Sequence, residues 1–547
     1  MPTILNSTGF PRTRRPAIYT RVDASALAGG DIESGNIALV GDFASFSSTE
    51  PTSFFSRRSM TAYDSTDSEL SLLAQLAFNP SDDPNANFGA ASLSIVNARE
   101  NCTKSTIDLG PLTLSSKIYG LKANRLTATL AITGAKHELS LNRNGLTEQF
   151  EIENTALLSV ENGTGGDVDL TIEEGTLTLT DGNGTLISFD STEAPDLQSA
   201  VNLLNTVADI TALLIEPSSI ALGSIDYVSE TIADAATYEV KAPAYLLTQE
   251  LLRSNLVTSE IDNSSTASSF SSTSVTATGG AQGATTDYEA ALRSIENKNI
   301  QIVVLFTDDL SSQSFLAAHL QAAGQAGYER QAYTAIDSNS TLAQVRTRAA
   351  SLNNAGIALT SQSGELIDPK GARRSINSKH LALILAGMQA GSDIGEPLTR
   401  KRPRLLSVSQ QWDNYSDAEE ALRSGTVFIN ADNLGLKIER SITTYMTDNN
   451  PIYSEISTYE SILASLRDIR QSLADQIGRP TRASQLSLIS GRVNTRLTAQ
   501  VTDGIIKAFQ NIELEDLGDE VAVSYEVAPV EPLNFVTVTA IAQRISA

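Results

Sequence analysis

The apolar positions along this chain change period several times, and each change marks a different kind of element. Residues 37–40 form a short unbroken apolar run ahead of Gly41, the pattern of a first buried strand. Leu70, Leu73, Leu76 and Ala77 then recur at helical spacing behind Ser68, a residue able to cap a helix. Residues 91–96 read as a further strand. From Leu126 the texture becomes Thr-rich and alternating, at residues 126–132, 168–172, 176–179 and 185–189. Gly163-Thr164-Gly165-Gly166 and Asp181-Gly182-Asn183-Gly184 separate such runs and favour hairpins. Residues 126–225 therefore predict a β-rich inserted module with one helix at 195–214. The Ser/Thr/Gly-rich stretch 263–286 predicts a flexible surface loop.

Beyond it the period changes again. The apolar run at 300–306 is followed by a helical pattern at 313–323, a strand at 332–336, a helix at 342–352 and a strand at 356–360. Buried strands alternating with helices indicate parallel α/β packing. Residues 378–390 are helical and apolar, with Gly391 marking the end. Strands at 427–429 and 436–442 flank Asn433 and Gly435, a hairpin signal. Ser457 and Glu460 have capping-box spacing within an amphipathic helix carrying Ile462, Leu463, Leu466, Ile469, Leu473 and Ile477. Residues 521–527 and 535–542 alternate as strands around Pro529 and Pro532, and the second would leave an edge able to recruit another chain. At the other end, residues 1–35 are rich in Pro, Gly, Ser and Arg, with a short extended stretch at 17–22, and read as an arm.

Length and charge narrow the function. At roughly 150 residues per domain, 547 residues predict three or four domains. Lys and Arg number 39 against 64 Asp and Glu, a formal net charge of −25. Such a chain repels phosphate backbones and anionic membrane surfaces, which argues against nucleic acid or membrane insertion as its main mode of partnership. The same charge keeps free subunits soluble. Cys102 is the sole cysteine, so neither an intrachain disulfide nor a cysteine zinc site is available. The first residues lack an apolar signal core, and no apolar run approaches the ~18 residues of a membrane span. These features predict a protein made and folded in a cytoplasm.

Catalytic chemistry finds little purchase. Asp308, His319 and the many serines of 300–390 invite a nucleophilic triad, but no Gly-x-Ser-x-Gly elbow is present. His319 falls within a helical pattern, and His137 and His380 have no partner at metal-ligand spacing. Asp181-Gly182-Asn183-Gly184 has the start of a calcium loop without its remaining ligands, so a tight turn is the better reading. No glycine motif joins a strand to a helix in the manner of a phosphate-binding loop. No catalytic, metal or cofactor-binding residue is assigned. The basic cluster Arg400, Lys401, Arg402 and Arg404 fits either a solvated loop or a contact with an acidic patch of another subunit.

A resemblance to a known family enters through the C-terminal third. Residues 421–428 (Ala-Leu-Arg-Ser-Gly-Thr-Val-Phe) and 437–445 (Lys-Ile-Glu-Arg-Ser-Ile-Thr-Thr-Tyr) resemble the shared stretch of contractile bacteriophage tail sheath proteins. Ala386-Gly387-Met388, residues 393–399, residues 503–508 and the ending at 521–542 are similar to that family too. So are Pro16 to Tyr19 as an arm and residues 37–41 as the first core strand. The resemblance is firmest over 375–547, weaker over 15–125 and 285–375, and silent over 126–225.

The resemblance implies a multidomain α/β and α+β fold. Its parts would be an N-terminal arm (1–35), the first part of the sheath core (36–125), the inserted β-rich domain (126–225) and a middle α/β domain (226–400). A C-terminal sheath domain (401–526) and a C-terminal arm (527–547) would follow. The middle domain would be subtilisin-like without the protease's residues. Subunits would form six-fold rings stacked helically around a tail tube, with baseplate and tail terminator proteins as further partners, in a virion tail assembled in the host cytoplasm. The two arms would each add a strand to a neighbour's sheet, with the hairpin at 427–442 as receiver. Ile18, Tyr19, Val427, Phe428, Ile429, Ile438, Arg440, Arg400, Lys401, Arg402, Phe535, Val536 and Val538 are the expected interface residues. Two alternatives stay open: the sheath of a secretion or tailocin-type injection system, and another virion scaffold. A hydrolase built on 300–390 is the enzyme alternative.

Overall fold

The computed structural model describes residues 35–534, apart from 85, 87, 164, 216–218, 266–268, 411, 413–414, 433–434, 449, 480–481 and 519–520. The expected N-terminal arm with Ile18 and Tyr19 lies outside the described residues. So does the expected strand at 535–542 with Phe535, Val536 and Val538. The chain divides into two units, one of Val40–Ala74 with Ser94–Ser294, the other of Met1–Leu39, Gln75–Leu93 and Ile295–Ala547.

The first buried run becomes β1 (Asn36–Gly41), and the following helical pattern becomes α1 (Ser68–Phe78). The carboxylate of Asp67, rather than Ser68, accepts the first free backbone N–H groups, from Glu69 at 3.0 Å and Leu70 at 3.3 Å.

In the β-rich unit, Thr-rich alternation sets the strands. They run as β2 (Lys104–Asp108), β3 (Leu112–Tyr119), β4 (Leu126–Thr133), β5 (Lys136–Arg143) and β6 (Leu146–Glu153). Next come β7 (Ala156–Asn162), β8 (Val168–Glu173), β9 (Thr176–Asp181), β10 (Gly184–Phe189) and α2 (Leu197–Leu204). The unit closes with β11 (Ile210–Leu214), β12 (Val228–Ile232), β13 (Thr237–Lys241), α3 (Pro243–Leu251), β14 (Val257–Ile261) and β15 (Thr273–Thr276). Sheets β15-β4-β5-β6 and β14-β3-β2 enclose one core of Leu112, Leu126, Leu139, Leu141 and Val257. Sheets β10-β9-β8-β12 and β11-β7-β13 enclose another with α2, built on Leu158, Leu170, Leu179 and Leu197. The turn between β5 and β6 places Asn144 and Gly145 at φ of 52° and 88°, conformations Asn and Gly tolerate best.

Two expectations for this region fail. The helix expected over 195–214 stops at Leu204, and β11 pairs with β7 instead. The Asn205 side chain explains the stop: its oxygen accepts from Ala212 N–H at 2.8 Å and its nitrogen donates to Ala212 C=O at 3.0 Å. Asp209 at φ 59° completes the reversal. The loop expected over 263–286 contains β15, whose alternating Thr and Ser residues pair antiparallel with β4. Low complexity hid a strand because Thr has the β propensity that a Ser/Gly linker lacks.

The α/β unit follows the alternation read from sequence. β16 (Ile302–Leu305), α4 (Leu310–Gln325), β17 (Gln331–Ala335), α5 (Leu342–Leu352) and β18 (Ile357–Thr360) form a parallel array. Their strands are buried end to end, as a sheet covered on both faces requires. β1 precedes β16 in the strand order, and on the other side Val427 N–H donates to Leu359 C=O at 2.9 Å. α6 (Ser378–Ala390) is buried along nearly its whole length. Among the following elements are α7 (Tyr415–Arg423), the hairpin β19 (Ile429–Asp432) and β20 (Gly435–Ile438), α8 (Ile456–Leu473) and α9 (Ala483–Thr502). Last come β21 (Ile506–Asp516) and β22 (Val521–Pro529).

The capping box expected at Ser457 and Glu460 is absent: the cap position of α8 is Glu455, and both residues lie inside the helix and are buried. Ile477 lies beyond α8 and is 85% exposed.

Candidate assembly interface

The hairpin expected to receive a neighbour's strand is short. Ile429 pairs with Ile438 and Asp432 with Gly435, so each strand has four residues. Its outward backbone groups are partly used already. Ile438 N–H donates to Lys401 C=O at 3.0 Å, and Ile438 C=O accepts from Arg400 N–H at 2.8 Å. On the other strand, Gln362 takes up both backbone groups of Ile429. Antiparallel alternation leaves Ala431 and Leu436 as the next outward-facing positions, one residue per strand. Val427, Phe428, Ile429 and Ile438 all have side chains buried within their own unit.

β21 and β22 present a longer edge. They pair from Ile506↔Pro529 to Asp516↔Val521, over eleven and nine residues, and no third strand joins them among the described residues. One face is anchored. Phe509, Ile512, Leu514, Val521, Val523, Tyr525 and Val527 pack on a core of Ala464, Ile469, Ile489, Val493 and Leu497 from α8 and α9. The other face carries exposed Gln510, Glu513, Glu515, Ser524 and Glu526. A two-stranded ribbon is marginal alone; its helical backing holds it in place, with both edges unpaired among the described residues.

The chain leaves this ribbon through a fixed exit. Thr458 Oγ1 donates to Val530 C=O at 3.4 Å, and Asn534 Nδ2 donates to Glu455 Oε1 at 2.9 Å. The same oxygen accepts from Arg440, at 2.7 Å from Nε and 2.6 Å from Nη2. Glu455 is 1% exposed; burial raises its carboxyl pKa, and Arg440 opposes that rise.

The basic cluster is matched inside its own unit. Arg400 pairs with Glu439 at 3.4 Å, buried Lys401 with Glu396 at 2.9 Å, Arg402 with Asp83 at 4.0 Å, and Arg404 with Asp82. Arg400 also sits at φ 66°. The pairs of the more exposed Arg400, Arg402 and Arg404 contribute about 0–1 kcal/mol each.

The residues tested for catalysis are occupied structurally. His319 is buried on α4, its Nε2 3.3 Å from Arg330 Nη1; burial and that guanidinium lower its pKa to about 3. A nitrogen facing a guanidinium in that way is poorly placed to take a serine's proton. Asp308 lies 3.9 Å from Lys379. His380 stands in the first turn of α6, bonded to the cap residue Asn377, and His137 is buried near Ala135 C=O. Asp181 accepts from the N–H groups of Asn183 and Gly184, making the tight turn that the sequence favoured. Among the described residues no group of three or more acidic, His or Cys side chains could hold a metal ion, and no helix is long and apolar enough to cross a membrane.

Sequence reasoning passed over Gln362, Glu455, Asn534 and β21. A bulge between Gln510 and Glu513 breaks the two-residue period of β21, so its strand character is visible only in fragments. The helical stripe of Ile489, Val493 and Leu497 in α9 was available as a signal.

Comparison with known proteins agrees with this architecture. Residues 281–444 match the family model of the phage tail sheath protein central domain. The putative tail sheath protein of Enterococcus phage phiEF24C is 22% identical over 97% of both chains. That of Bacillus phage SP01 is 22% identical over 96% of this chain and 95% of its own. The tail sheath protein of Staphylococcus phage Twort is 25% identical, but the match spans only 44% of it. Among solved structures, the sheath tail protein of Listeria innocua superposes with a TM-score of 0.59 at 13% identity, covering 93% of this chain and 95% of that one. The Desulfitobacterium hafniense sheath tail protein gives 0.57 at 12% identity, over 95% and 97%. The mixed α/β multidomain fold is shared with these two sheath tail proteins. The chain is thus similar to phage tail sheath proteins, over the central domain by the family model and at low identity along nearly its whole length.

Proposed function

We propose that this chain is a contractile-tail sheath subunit that polymerises around a tail tube by donating its terminal segments to neighbouring subunits, and that the β21–β22 ribbon receives them. The observation that carries this reading is a backed ribbon of eleven- and nine-residue strands with both edges unpaired among the described residues. Strand addition uses main-chain hydrogen bonds and depends little on side-chain identity. Each bond adds only about 1 kcal/mol net, so several per strand are needed to hold a lattice under load. The β21–β22 edges offer that number; the β19–β20 hairpin, with one free position per strand, does not. The alternating residues 535–542 supply a donor sequence, and residues 1–35 another.

A subunit that donates at one place and accepts at another makes a head-to-tail contact, which generates rings and helices. Six-fold rings stacked helically around the tube, tied to baseplate and tail terminator proteins, follow from the family resemblance. Contraction would then turn rigid bodies about persistent strand linkages, moving from an extended lattice to one with more contact between bodies and driving the tube through the host envelope for genome delivery. The parallel α/β layer of β16, β17 and β18 would serve as a subtilisin-like scaffold without catalytic work. Assembly takes place in the host cytoplasm on this reading. The test is negative-stain microscopy of the purified chain over a range of concentrations, with and without tube protein. Striated hollow tubes support the reading; no polymer even with tube protein present would falsify it.

A further inference from the structure

We propose that Glu455 is a positioning residue for the C-terminal arm: it grips Asn534 and so holds the root from which the arm continues. The inference rests on the strand-donation reading above and names the device that aims the strand. Three observations combine. Glu455 is buried at the start of α8, so its carboxylate has a defined position relative to the helix that backs the β21–β22 ribbon. Its Oε1 holds two donors of Arg440, at 2.7 and 2.6 Å, and one of Asn534, at 2.9 Å. Arg440 follows β20 by two residues, and Ser441 C=O accepts from Ile456 N–H at 3.2 Å, so the hairpin segment, the helix start and the arm's root meet at one carboxylate.

The rest of the exit supports the same constraint. Val530 is held by Thr458, and Lys507 pairs with Glu531 at 3.1 Å, whereas Leu533 between these ties and Asn534 is 84% exposed. An apolar side chain exposed at that place gains nothing from the monomer. Hydrogen bonds to a charged acceptor are stronger than neutral ones, and burial reduces screening. A donor strand launched from a fixed root has fewer orientations to lose on docking, which is how preorganisation strengthens association.

The decisive variant is Asn534→Ala, which removes the arm's bond and leaves the Arg440–Glu455 pair intact. A nitroxide attached through Ala540→Cys reports the arm's motion in the monomer, and light scattering gives the critical concentration for tube formation. Expected are an unchanged thermal midpoint, a more mobile label, and a critical concentration raised about tenfold, the equilibrium factor for one bond to a charged group. Glu455→Gln, which keeps an acceptor but drops the charge, should fall between Asn534→Ala and the parent. Label mobility and critical concentration both unchanged in Asn534→Ala would overturn the positioning role. A chain lacking 535–547 separates the two ideas: if it polymerises normally, strand donation itself fails, whereas its loss of tubes beside a neutral Asn534→Ala fails only the positioning role.

Discussion

Gln362 closes the open side of Ile429: its side-chain oxygen accepts from Ile429 N–H at 2.6 Å, and its Nε2 donates to Ile429 C=O at 2.9 Å. One side-chain amide thus imitates the neighbouring strand that β19 lacks. Gln362 is fully buried, so the arrangement satisfies two backbone groups that water would not reach.

Replacing Gln362 with Ala therefore leaves a buried N–H and C=O unpaired. We expect a loss of about 1–3 kcal/mol in urea unfolding.

The ribbon depends on the helices beneath it. Leu497 is fully buried in the core that α9 shares with β21 and β22. Leu497→Ala should cost about 2–5 kcal/mol by calorimetry or denaturant titration. Because the ribbon is marginal without its backing, tube formation should fall together with stability.

Glu460 makes stability depend on pH. Burial pushes its carboxyl up to about 7 from 4.5, against hydrogen bonds from Gln389 and Gly395 and the charge of Arg467. The folded chain then binds more protons than the unfolded one between those values, so this group's contribution falls as pH rises from 4.5 to 7. His319 runs the other way: its pKa is held at about 3, so its contribution is lost as pH falls from 6.5. The difference between parent and Glu460→Gln cancels His319 and isolates the carboxylate. The variant should gain on the parent through that window, by roughly 3 kcal/mol at most, measured by urea titration across pH.

Gly391 ends α6 where the backbone of Phe88 passes. A Cβ there would lie 1.6 Å from Phe88 C=O, while a Cβ at Gly182 would meet nothing within 4 Å. Gly391→Ala should destabilise by more than about 4 kcal/mol and abolish soluble expression. Gly182→Ala should leave the unfolding midpoint within experimental scatter.

The parallel layer was legible in the sequence because each level of signal agreed. The apolar run at 300–306 and the helical patterns at 342–352 and 378–390 match β16, α5 and α6 closely, with α5 and α6 matching to the residue. Failures came where a local hydrogen bond or a bulge overruled periodicity. Asn205 turned the end of an expected helix into β11, and the bulge in β21 disguised the ribbon's first strand. The candidate interface residues were chosen for motif resemblance and apolar character, and the side chains of Val427, Phe428, Ile429 and Ile438 are buried within their own unit. What an edge offers a neighbour is unpaired backbone, and side-chain types along the sequence do not record it.

Helical reconstruction by electron cryo-microscopy of tubes assembled from the full chain tests the account most directly. The account predicts that residues 535–547 of one subunit lie hydrogen-bonded along an edge of a neighbour's β21–β22 ribbon. A lattice whose ribbon edges carry no strand from another subunit would contradict it.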